Sequence, residues 1–149
     1  MVAALVRWLA SRMYTQVALP EVFHVLGMSV VETSPERAVL RMDVPTWFRS
    51  PFDQVHGGAI AALMDTTFGA ALAAKLSAQD RMATHELNVN YLSFAREHTL
   101  LCTARVLAMG QAVATVEGEV ETEAGRLIAK ALGTFGVFLR SNRSNRTET

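Results

Sequence analysis

The spacing of apolar residues changes twice along the chain. Between Gly27 and Val44 it has period two, with Ala38, Leu40, Met42 and Val44 on one side and Val39, Arg41 and Asp43 on the other. That alternation predicts a half-buried strand, and the turn signal Ser34-Pro35 before it makes Met28 to Thr33 its hairpin partner. A loop follows from Pro45 to Val55, where Pro45 and Pro51 interrupt regular structure. From Gly57 to Leu76 apolar residues occupy nearly every side of a helical projection, as in a helix covered by protein on most of its surface. Period two then returns. Leu87, Val89 and Tyr91 alternate with Asn88 and Asn90, and an apolar run from Leu100 to Leu107 ends at the turn Met109-Gly110-Gln111. Val113, Thr115, Glu117, Glu119 and Glu121 alternate with Ala112, Ala114, Val116 and Val120, so the glutamates should face water. Ala124-Gly125 turns the chain into a last strand, Arg126 to Leu139.

The predicted order is short N-terminal helices, two strands, one long helix and about four strands in meander. This is an α+β arrangement, an antiparallel sheet curled around a central helix that covers its apolar face. Residues 1–149 are expected to form a single domain, with a helical extension over 1–19 and a flexible polar tail over 141–149. Sheet edges and any uncovered helix surface would call for self-association.

Composition narrows the partners. The 149 residues carry 14 basic and 14 acidic side chains, and half are apolar, so no long-range field gathers nucleic acid or an anionic membrane. Arg7 and Arg12 interrupt the apolar start and no small-residue cleavage site follows it, which argues against a signal peptide. Asp65 in the middle of the long helix argues against a membrane span. The single Cys102 forms no internal disulfide, sits in an apolar strand as a core residue, and points to a reducing, cytoplasmic location. His24, His56, His85 and His98 show no metal-ligand spacing, no Gly-x-Ser-x-Gly occurs, and neither metal nor cofactor is expected.

Two features carry chemistry. Gly57 and Gly58 open the long helix, where first-turn amides lack carbonyl partners and the helix dipole favours negative charge, including the oxyanion formed when a thioester or ester carbonyl is attacked. Asp65 is costly to bury ionised, so it is either held by Thr66, Thr67 or a sheet residue, or serves as base or nucleophile beside the space left by Ala61, Ala62 and Gly69. Gly57 and Asp65 stand eight positions apart, about 12 Å along one helix, too far to touch one carbonyl. Two copies packed with these helices antiparallel would bring the Gly57 end of one to the Asp65 region of the other.

The His56-Gly57-Gly58 opening, Asp65 eight residues on, and Asn88-Val89-Asn90-Tyr91-Leu92-Ser93 resemble the hotdog-fold acyl-CoA thioesterases, particularly the phenylacetate-degradation branch, over about Pro20 to Leu139. The resemblance implies a helix wrapped by an antiparallel sheet, a homodimer with sites at its interface, commonly a dimer of dimers, and metal-free hydrolysis of an acyl-CoA. It assigns the Gly57 amide to the thioester carbonyl and Asp65 of the partner subunit to water activation or direct attack. Thr84 maps to the hydroxyl residue that holds the attacking water. Ser50 stands where family members often have asparagine, with Gln54 as its substitute, and His56 orients the glycine turn or donates near the carbonyl. Gly58, Phe52, Asn90, Arg96 and Phe68 are the expected substrate or CoA contacts, with Leu63 beside the acyl group and Arg140, Arg143 and Arg146 as further candidates for the phosphates. Phe94 and His98 replace the proline and glycine common in the family. Competing readings are a non-catalytic acyl-CoA sensor and a hotdog-fold dehydratase or hydratase, though the chain lacks the His-Phe-Pro type motif that such dehydratases resemble.

Overall fold

The computed structural model describes residues 19–140, so the expected extension before Leu19, the tail over 141–149, Arg143 and Arg146 lie outside the described residues. A short helix α1 (Leu19–Val25) leads into a hairpin of β1 (Met28–Thr33) and β2 (Ala38–Asp43). A 3-10 turn (Thr46–Phe48) and a loop then precede the long helix α2 (Gly57–Ala73). Strands β3 (Arg81–Tyr91), β4 (Thr99–Met109), β5 (Val113–Thr122) and β6 (Leu127–Phe138) complete the described chain. All pairings are antiparallel, in one sheet ordered β1-β2-β4-β5-β6-β3 with α2 against it. This is the hotdog arrangement.

The alternation in β2 translates directly: Ala38, Leu40 and Met42 are buried, whereas Val39 and Arg41 are half-buried and Asp43 is exposed. On β5, Ala114, Val116 and Val120 are buried, and the opposite side carries Glu117, paired with Arg105, and Glu119, 3.1 Å from Lys130. The expected four-strand meander is corrected. Of those four strands only β4, β5 and β6 are sequential neighbours; β3 joins the far edge beside β6, and β4 begins again beside β2. The segment from Leu92 to His98 spans the distance, anchored to Ile128 O at Leu92 and Ser93, to Val55 N at Ala95 O, and to Val44 N at His98 O. Alternation within a strand sets its buried side but not its neighbours, so strand order was beyond local pattern.

Alanines throughout α2 favour helix, and ten of its seventeen residues are buried, which leaves only a narrow half-open stripe. The helix ends three residues before the expected Leu76, with Ala74 as its cap and Leu76 N bonded back to Ala73 O in a tighter, 3-10-type turn. Phe68, Leu63, Met64 and Leu72 insert among Leu40, Met42, Leu100, Val116, Val120 and Ile128. Phe68 is fully enclosed because two strands lack side chains beneath it: a Cβ at Gly118 would stand 2.5 Å, and one at Gly133 2.8 Å, from its ring. The stripe that stays half-open holds Ala61, Ala62, Asp65, Thr66 and Gly69. Beside it, β3 is an edge strand with no buried residue.

Candidate active site

The segment before α2 is fixed at several points. Arg49 and Val55 form an antiparallel bridge, Val55 N donates to Ala95 O at 2.8 Å, and His56 N to Phe48 O at 3.1 Å. His56 therefore enters with extended backbone (φ −63°, ψ 138°) and caps the helix, its Nδ1 accepting from Gly58 N at 2.9 Å. An accepting Nδ1 places the ring proton on Nε2. The imidazole lies over Phe48, which in turn stacks on Trp47 with centroids 4.8 Å apart. Ala59 N donates to His56 O at 2.9 Å. Of these first-turn amides, Gly57 N alone has no acceptor among the described residues. Gly57 lines an open groove of about 380 Å³ with Val55, Ile60, Tyr91, Leu92, Ser93 and Phe94, and the Tyr91 hydroxyl donates to Gly57 O at 3.0 Å.

Asp65 lies half-buried on the open stripe, and Thr84 of β3 donates to its Oδ1 at 2.9 Å. Thr66 and Thr67 donate instead to Ala62 O and Leu63 O, one turn back in their own helix, so of the expected partners it is the sheet residue that holds the carboxylate. A bulge at His85 makes this possible. Before it Met82 and Thr84 face the helix; after it the register shifts and Leu87, Val89 and Tyr91 do. The extra residue changes the parity of the strand, and β3 thereby touches α2 at both Asp65 and Gly57.

These two places are separated by more than two helical turns, about 12 Å, within one chain. The remaining sequence candidates divide between rim, loop and core. Ser50 Oγ accepts from Phe52 N at 3.3 Å and Gln54 N at 3.4 Å, so it closes its own loop. Gln54 is half-buried and its carbonyl accepts from Ser50 N at 2.7 Å. Phe52 is 76% exposed on that loop. Gly58 has its amide committed to His56. Phe68 and Leu63 do not line the groove, because both are fully enclosed in the protomer core. Asn90 pairs in register with Lys130 on the sheet face away from α2, so it does not join the groove either. Arg96 places its guanidinium 5.2 Å from the Phe94 ring, at the groove's rim, and Arg140 lies exposed at the end of the described chain with its backbone N on Asp80 Oδ1.

Sequence reasoning missed the residues that hold the groove open. Tyr91 was legible only as a strand residue; the jump from even Met82 to odd Leu87 and Val89 was the available sign of a bulge. Arg126 donates to Ser93 Oγ at 2.7 Å, Phe94 O at 3.1 Å and Glu97 Oε1 at 2.6 Å, and this guanidinium holds the Glu97 carboxyl below the usual range. Arg49, whose side chain is 9% exposed, donates to Glu97 O at 2.9 Å and Arg96 O at 3.2 Å while pairing with Asp53, tying the two loops at the rim. Neither connection leaves a local sign in the sequence.

Cys102 is fully buried on β4, and burial pushes its thiol up to about 12, so it supplies no thiolate. Among the described residues no three His, Cys, Asp or Glu side chains converge as a metal site, and no helix is long and apolar enough to cross a membrane.

Comparison with known proteins adds a family. The description "Thioesterase superfamily" matches residues 52–129, which include the whole of α2 and β3. A protein of Saccharolobus solfataricus whose name proposes an esterase is 30% identical over 118 residues, 79% of this chain and 84% of its own. A conserved protein of Pseudomonas aeruginosa of known structure is 29% identical with a TM-score of 0.76, over 86% of this chain and 98% of its own. The fold is also shared with a phenylacetic acid degradation protein of Thermus thermophilus, 23% identical with a TM-score of 0.71, over 78% of this chain and 97% of that one.

Proposed function

The chain belongs to the thioesterase superfamily and is a thioester hydrolase, and from that premise we propose that it cleaves acyl-CoA thioesters at two equivalent sites shared across a homodimer. The observation that carries this reading is the free Gly57 N–H in an open groove, with the only nearby helix carboxylate, Asp65, about 12 Å further along the same helix. Antiparallel apposition of two α2 stripes beside the unburied β3 edges brings each Gly57 to Asp65 of the partner subunit.

In this site Gly57 N–H donates to the thioester oxygen, and the helix dipole favours the charge that develops there. Thr84 fixes Oδ1 of Asp65 and leaves Oδ2 to take a proton from water, whose oxygen bonds to the carbonyl carbon. Collapse of the tetrahedral intermediate breaks the C–S bond, and the proton held by Asp65 passes to the departing CoA sulfur. The products are a free acid and CoA. Direct attack by Asp65 is the competing route. A single turnover in 18O water tests for it: activated water labels the product acid at once, whereas an anhydride with Asp65 that water opens at the aspartate carbon gives an unlabelled acid and a labelled Asp65.

The acyl group proposed is aryl-acetyl or short to medium aliphatic. The apolar groove walls Val55, Ile60, Leu92 and Phe94 support an apolar acyl group, and the fold shared with the Thermus thermophilus protein supports the aryl-acetyl option. A dimer of dimers in the cytoplasm completes the reading, supported by the exposed Leu132 and Phe138 on the sheet's outer face and by the lone buried thiol. Release of free thiol across a panel of acyl-CoA esters tests it: phenylacetyl and short or medium chains should turn over fastest, and a clear preference for palmitoyl-CoA, or no thiol from any ester, overturns it.

A further inference from the structure

The peptide group joining Gly57 to Gly58 is hydrogen-bonded at both ends by side chains from different elements. Its carbonyl accepts from the Tyr91 hydroxyl at 3.0 Å, and its N–H donates to His56 Nδ1 at 2.9 Å. The Tyr91 ring also lies against Gly57, its Cε1, Cζ and Oη each 3.5 Å from where a Cβ would stand. Glycine tolerates a wide range of backbone angles, so two adjacent glycines make the first peptide of α2 the one most easily turned away from helical geometry. The preceding peptide, the one whose N–H faces no acceptor, is held at its carbonyl, His56 O, by Ala59 N at 2.9 Å and Ile60 N at 3.4 Å, so Gly57 is the hinge between two anchored peptides.

We propose that Tyr91 is a positioning residue for the thioester carbonyl: together with His56 it clamps the Gly57–Gly58 peptide and so holds Gly57 from its far side, while Ala59 N and Ile60 N on His56 O hold it from the near side, leaving the Gly57 N–H in one direction as the donor for substrate. The inference rests on the acyl-CoA hydrolase reading above. The chain Tyr91 O–H to Gly57 C=O, then Gly58 N–H to His56 Nδ1, also polarises in one sense, each bond strengthening the next. Its consequence for catalysis is preorganisation: the donor is aimed before the oxyanion forms, and no reorientation is needed as charge develops. Tyr91 reaches this position only because the His85 bulge brings odd-numbered residues of β3 to the helix face. The bulge that lets Thr84 hold Asp65 thus lets the same strand hold the opposite pole of the site.

Tyr91→Phe tests the clamp, since it keeps the ring against Gly57 and removes only the hydroxyl. The expected result with the best acyl-CoA is a fall in kcat of about tenfold with KM changed by less than about twofold, because the lost interaction orients a donor used most strongly in the transition state. In the unliganded dimer the Gly58 amide proton resonance should move upfield as the chain loses its first bond. Undiminished kcat, a rise in KM alone, or an unmoved Gly58 resonance overturns the proposal. Failure of the substrate reading is distinguishable, because it appears as absence of thiol release by the unaltered protein, whereas failure of the clamp leaves that release intact in Tyr91→Phe.

Discussion

Thr84 on the edge strand donates its hydroxyl proton to Asp65 Oδ1 at 2.9 Å, and this bond ties β3 to the middle of α2. It gives a carboxylate that is unusual in an apolar helix a fixed orientation and leaves its second oxygen available. Thr84→Ala should therefore lower kcat by about 10- to 100-fold, while Thr84→Ser, which keeps the hydroxyl, should stay within a few-fold of the original. Steady-state kinetics on the two variants checks this, and equal loss in both would place the effect in packing.

Gly118 and Gly133 make room for Phe68, so Gly118→Ala should destabilise the fold without touching the site. The new methyl would stand 2.5 Å from the Phe68 ring and 2.6 Å from Thr103 O, and the second neighbour is backbone and cannot turn aside. A loss of about 1–3 kcal/mol is expected from such overpacking, read from urea unfolding. The complementary Phe68→Ala should cost about 3–5 kcal/mol through the cavity it leaves.

Much of this was legible in the sequence, for identifiable reasons. The side of β2 that is buried follows from Ala38, Leu40 and Met42, and the helix start follows from His56-Gly57-Gly58, because each is encoded within a few residues. That Phe68 is enclosed in the protomer core was not legible, because α2 is apolar on nearly all sides and offers no polar face to separate inside from outside. The alternation of β3 already sets Tyr91 with Leu87 and Val89 and opposite Asn88 and Asn90, as observed; that the Tyr91 hydroxyl reaches Gly57 O was not legible, because it joins residues of β3 and α2 that are far apart in the chain. The rim held by Arg49 and Arg126 depends on contacts between residues far apart in the chain, which no local pattern records.

Cys102 should resist thiol reagents in the folded protein. Burial holds it protonated up to about 12, so at pH 8 essentially no thiolate exists, and its side chain has no exposed surface. Titration with a disulfide reagent should find no reactive thiol from this residue until denaturant is added, and its full substitution by alanine should lower stability and leave kcat unchanged.

Asp65→Asn should abolish thioester hydrolysis while the circular dichroism and melting temperature stay close to those of the original, since the amide retains a carbonyl oxygen for Thr84. Turnover at the original rate would remove Asp65 from the chemistry.

The central claim is that each site takes its electrophilic end from one subunit and its carboxylate from the other. Gly57→Pro removes the first contribution: proline is favoured at the first helical position, it lacks the N–H in question, the His56 backbone at ψ 138° already suits a following proline, and its ring, with Cβ 3.5 Å from the Tyr91 ring, changes only the site to which that subunit contributes Gly57. Mixing Asp65→Asn subunits with Gly57→Pro subunits, each inactive as a homodimer, should restore one working site per mixed dimer and about a quarter of the original activity at statistical mixing. Proven mixed dimers that release no thiol would contradict the shared site.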